Sequence, residues 1–102
     1  MSICYILKNG SPVLEPDVLV WARWYKSSNA ERGVAQTVIG DVRVATVFLG
    51  IDYGYVLSNP ILFETMVFGG LLDHEQERYH TREEALTGHE RWCARVREVV
   101  AS

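Results

Sequence analysis

The sequence predicts a single α+β domain over residues 1–102, an antiparallel sheet of three to five strands packed by two helices. Three observations predict it. An aromatic segment of helical period lies near the N-terminus, behind a proline and two carboxylates. Two β-branched runs in the middle are joined by a glycine-led dipeptide. A second helical period closes the chain behind a capping box. A length of 102 residues with 48% apolar and 23% charged side chains suits one packed core.

The elements follow in order. Cys4–Leu7 is a short apolar run, and Asn9-Gly10 after it is a strong hairpin signal. Pro12-Val13-Leu14 returns as a brief strand that proline confines to an edge. Glu15-Pro16-Asp17 opens a helix over about residues 16–27, because proline suits a first turn and carboxylates favour a helix N-terminus. Val18, Trp21, Ala22 and Tyr25 form its predicted stripe, with Val20 and Trp24 off it, and Ser27-Ser28-Asn29 ends it.

Val34–Ile39 and Val42–Leu49 are strands joined at Gly40-Asp41, the order a type II′ turn requires. On the second strand Val42, Val44, Thr46 and Phe48 share one face; Arg43, Ala45, Val47 and Leu49 share the other. Gly50–Pro60 is a long loop carrying Asp52, Tyr53 and Tyr55, suited to holding a ring and its hydroxyls or to capping the sheet. Ile61–Phe68 is the next strand, with Glu64 the odd residue among apolar neighbours, and Gln76–His80 is a short last strand. Thr81-Arg82-Glu83-Glu84 caps a helix over about residues 82–100, striped by Ala85, His89, Trp92, Val96 and Val99. Gly88, costly inside a helix, marks a close approach there. The second sheet face also carries apolar residues, which predicts a cover such as a second subunit and hence a homo-oligomer.

Bulk properties narrow the function. A net charge of −3 argues against generic nucleic-acid binding. No apolar run approaches the roughly 18 residues of a membrane span, and Met1–Lys8 lacks signal-peptide organisation, so the expected compartment is the cytoplasm. Cys4 and Cys93 read as reduced packing thiols, His89 as a core histidine, and His74 and His80 lack the spacing of a zinc site, so no metal or cofactor is expected. No phosphate loop or nucleophile elbow is present, and no catalytic residues are assigned. Glu64 reads as an exposed residue of the open face; were it buried, Arg43 would be its partner. What remains is a concentration of arginine and aromatic side chains, the chemistry of a stacking anion pocket or a protein interface. The candidate ligand-binding residues are Trp21, Trp24, Arg32, Arg43, Glu64, Arg78 and Tyr79.

The run from Val34 to Gly50, the later Leu62-Phe63-Glu64-Thr65-Met66-Val67-Phe68-Gly69-Gly70, and Glu77-Arg78-Tyr79-His80-Thr81 with Glu84-Ala85 and Gly88-His89 resemble short bacteriophage and prophage proteins of uncharacterised role. The resemblance covers the chain from Trp24 onward and departs in the Gly50–Pro60 loop, which is richer in glycine and proline in the family. It implies a phage-borne accessory protein that counters host antiviral defence and brings no catalytic residues with it. The favoured expectation is a non-enzymatic sponge that sequesters a nucleotide-derived immune signal in the host cytoplasm. The alternative is an inhibitor of a host defence protein complex, as an anti-CRISPR is; a signal-cleaving enzyme or a virion component are further readings.

Overall fold

The computed structural model describes residues 3–54 and 59–101. β1 (Tyr5–Lys8) and β2 (Ser11–Leu14) form a two-stranded hairpin. Its turn at Asn9-Gly10 has φ of 54° and 82°, the two left-handed residues of a type I′ turn. Two helices, α1 (Val18–Ser27) and the single turn α2 (Asn29–Arg32), lead into a four-stranded antiparallel meander. Its strands, in spatial as well as chain order, are β3 (Gly33–Ile39), β4 (Val42–Phe48), β5 (Phe63–Phe68) and β6 (Gln76–Tyr79). The chain ends in α3 (Arg82–Ala101). The expected class holds: two antiparallel sheets pack against helices.

The sheet has two unlike faces because its register keeps the predicted alternation. Val42, Val44, Thr46 and Phe48 of β4 share a face with Phe63, Thr65 and Val67 of β5, and all seven are buried. Against them lie Ala85, His89, Trp92, Cys93 and Val96 of α3, also buried. α3 begins at the capping box: the Glu84 N–H donates to Thr81 Oγ1 at 3.1 Å and the Thr81 N–H to Glu84 Oε1 at 3.2 Å.

A row of polar side chains crosses this interface. Thr37 on β3 meets His89 Nε2 at 2.9 Å, and His89 Nδ1 meets Thr46 on β4 at 2.8 Å. Thr46 and Thr65 on β5 are 2.6 Å apart, and the Tyr79 hydroxyl on β6 donates to Thr65 at 3.0 Å. Glu77 ends the row, accepting from Trp92 Nε1 at 2.9 Å and Arg91 Nη2 at 2.6 Å. His89 is 2% exposed, yet both ring nitrogens are partnered, so its burial leaves no orphaned group. Gly88 makes the row possible: a Cβ there would collide with the Tyr79 ring and hydroxyl.

α1 is held differently from the expectation that both helices cover the sheet. It lies at one end, with Trp24 edge-on to Phe48 at 6.0 Å between ring centroids. Trp21 Nε1 donates to the Gly50 carbonyl at 3.0 Å. Its inward stripe is Trp21, Trp24, Tyr25 and Ser28; Val18 and Ala22, assigned to that stripe from sequence, face outward instead. The three rings carry more apolar area than valine and alanine, so they set the helix's rotation. Asp17 is the N-cap, accepting from the Leu19 and Val20 N–H groups, and the chain turns again at Ser28 to make α2, which periodicity did not predict. Asp52 ties the base of the following loop by accepting from the Gly54 and Ile61 N–H groups at 2.7 and 2.9 Å. Tyr55 lies outside the described residues.

Candidate ligand site

The predicted ligand residues separate into three places. Arg43, Glu64 and Arg78 lie on the open face of the sheet, away from α3, and Arg32 stands at its margin. Trp21 and Trp24 anchor α1 through Gly50 and Phe48. Tyr79 is on the opposite face, under α3, where burial raises its hydroxyl pKa and Thr65 takes its proton in a hydrogen bond. The structure thus brings four of the seven to one surface.

Register decides which partners meet on that surface. β5 pairs Glu64 with Arg78 of β6, and Arg78 Nε donates to Glu64 Oε2 at 3.0 Å. The partner named for Glu64 from sequence, Arg43, is opposite Phe68 instead, with its guanidinium 4.2 Å above that ring. Arg78 also lies 4.4 Å over Tyr53, so the pair is fixed on both sides. Glu64 is on the open face as read from sequence but is not exposed: its side chain is 13% accessible, and its carboxylate is neutralised by Arg78 because Tyr53 and the neighbouring strand cover the pair.

Arg32 and Arg43 are different in kind. Arg32 stacks 3.7 Å above Tyr25, its Nε donates to Ser28 Oγ at 3.2 Å, and its Nη2 donates to the Tyr25 carbonyl at 3.0 Å. Arg43 Nη1 donates to Gln36 Oε1 at 3.4 Å. Among the described residues neither guanidinium has a carboxylate within 4.0 Å. Both line a cleft of about 480 Å³ whose other walls include Asn29 and Gln36 and whose floor includes Ala45 and Val47. Stacking fixes the planes of two cations beforehand, so little rotamer freedom remains to be lost when an anion arrives. Two amide side chains and an apolar floor complete a surface with no acidic group among its described lining residues; Glu64, opposite Val47, is held by Arg78, so the surface can hold a phosphate-bearing ring.

A second cleft of about 490 Å³ lies between β6 and the start of α3. It is lined by Arg91, which is paired with Glu77, and by Glu83 and Glu84, so its field is mixed. Burial pushes the Glu77 carboxyl up, but hydrogen bonds from Arg91 and Trp92 outweigh it and leave the pKa below the ordinary carboxylate value. The Arg91 guanidinium is held protonated by the same bond. That carboxylate is committed to the α3–β6 contact. His80 Nδ1 is engaged with the Pro60 carbonyl at 3.0 Å, and His74 is exposed 3.6 Å from Asp73.

Sequence reasoning missed Gln36 and Asn29 as cleft residues and Tyr25 and Phe68 as guanidinium platforms. Gln36 was within reach: the Gly40-Asp41 turn sets Val38 opposite Arg43 and Gln36 opposite Ala45, which puts Gln36 on the arginine face. Asn29 depends on α2, for which no periodic signal exists. Comparison with protein-family models, curated proteins and solved structures returns no match to this chain.

Proposed function

We propose that the protein is a stoichiometric binder that holds a nucleotide-derived anion, without turnover, in the cleft between Arg32 and Arg43. One observation carries the reading: two arginines, each pre-oriented on an aromatic ring and neither paired with a carboxylate among the described residues, line the same cleft. Cationic groups left unneutralised and immobilised suit a fixed anionic partner better than they suit folding alone. The guanidinium planes and the Ala45–Val47 floor offer flat surfaces for a base. In the phage setting implied by the sequence resemblance, the role is to withdraw a nucleotide immune signal from the host.

Titration calorimetry against a panel of cyclic and ADP-ribose-type nucleotides tests this. At least one member binds, and Arg32→Ala or Arg43→Ala each weakens it about tenfold or more, the scale of one lost charge-assisted bond. Silence across the panel overturns the reading. A second reading is then favoured by α1, whose Val18 and Leu19 are 59% and 69% exposed: the protein docks a host defence protein through that helix, and Leu19→Asp abolishes the complex while leaving the Arg32–Arg43 cleft intact.

A further inference from the structure

We propose that β3 is a self-association edge, through which two copies of the chain pair antiparallel about a two-fold axis to make one continuous eight-stranded sheet. Among the described residues β3 is bonded to β4 on one side only, and from Val34 to Ile39 no backbone hydrogen bond leaves its outer side. An edge of this kind presents alternating N–H and C=O groups that another strand satisfies. Other edges are blunted: β2 contains Pro12, β1 is four residues long and tied at Tyr5 to the Gly50 carbonyl, and β6 is four residues long and carries Glu77 and Arg78; β3 has a register shift only at its start, between Gly33 and Ala35. β3 is seven residues long, with no proline and no charge, and Val38 on it is 65% exposed.

The strand's own sequence specifies a second copy as the occupant. Antiparallel overlap centred on Gln36 sets Gln36 against its counterpart and Thr37 against Ala35; the register shift between Gly33 and Ala35 leaves Val34 on the core side, packed against the Phe48 cluster, so the regular part of the edge is Ala35–Ile39. Amide meets amide on the open face, and no like charges oppose. The contact is isologous and closes at two copies. A two-fold axis normal to the sheet keeps both open faces on the same side, so the Arg32–Arg43 clefts of the two copies share one surface. The pairing stands on β3 alone and is tested without ligand, so its failure is separable from failure of the anion-binding reading.

Sedimentation velocity of the full chain over micromolar to millimolar concentrations is the experiment. The wild-type chain is expected to reach twice the monomer mass, with amide exchange in Val34–Ile39 slowing as concentration rises. Gln36→Lys and Gln36→Glu each place like charges on the two-fold axis and are expected to weaken dimerisation at least tenfold, with unchanged circular dichroism. An equimolar mixture of the two is expected to restore the dimer, because lysine then faces glutamate. A wild-type monomer at every concentration, variants that dimerise as the wild type does, or a mixture that stays monomeric would each overturn the proposal.

Discussion

Gly88 and His89 are adjacent, and the two positions answer to different constraints. At Gly88 the Tyr79 ring occupies the place of a side chain. Gly88→Ala gains about 1 kcal/mol of helix propensity and loses about 1–3 kcal/mol to overpacking, so a net destabilisation of up to about 2 kcal/mol is expected in urea unfolding. At His89 burial holds the imidazole pKa below its ordinary 6.5, with Glu90 a smaller opposing influence. The unfolded chain therefore binds a proton that the folded chain resists. Stability from this group is full above the ordinary value and is lost as pH falls below it. Unfolding midpoints are expected to drop from about pH 7.5 to about pH 5.5, and the drop is expected to flatten in His89→Gln. Glu77 acts in a lower window, since its stabilisation fades only as pH falls through a pKa already below 4.5. The cost of Gly88 in a helix was legible in the sequence, and so was the core position of His89. Their partners were not, because Thr37, Thr46, Thr65 and Tyr79 come from four strands that only the sheet register brings into line.

Among the elements, the contrast is between α3 and α1. α3 lays a buried stripe on four strands, whereas α1 has no buried residue and is held by three half-buried rings. Each has a side-chain cap, so each cap tests how its helix couples to the whole. Thr81→Ala is expected to cost about 1 kcal/mol of global stability. Asp17→Ala is expected to speed amide exchange within Val18–Ser27 while leaving the global unfolding midpoint nearly unchanged. Hydrogen exchange by NMR separates the two. Strand positions, turn types and the box at Thr81–Glu84 were readable from local chemistry. The rotation of α1 was not, because the pattern weighed Val18 and Ala22 equally with rings, and contact area decided between them.

At the scale of the molecule, extents of 48 × 28 × 21 Å and a radius of gyration of 14.7 Å describe an elongated body; a compact chain of this length would have about 13 Å. The hairpin and α1 lengthen one end while the meander keeps a face uncovered. That two-faced sheet was legible in the alternation of β4 and β5, and it is what assembles Arg32 and Gln36, from one side of the Gly40-Asp41 turn, with Arg43 from the other. The polar row beneath α3 has one more property, that of direction. If His89 carries its proton on Nε2, Nδ1 must accept from Thr46, so Thr65 must donate to Thr46 and Tyr79 must donate to Thr65. If the proton sits on Nδ1, each hydroxyl is free to point the other way, and Tyr79 turns toward Glu77, 3.5 Å distant. The tautomer of one histidine thus sets the polarity of a hydrogen-bonded file that runs from the unpaired edge of the sheet to the charged cleft beyond it.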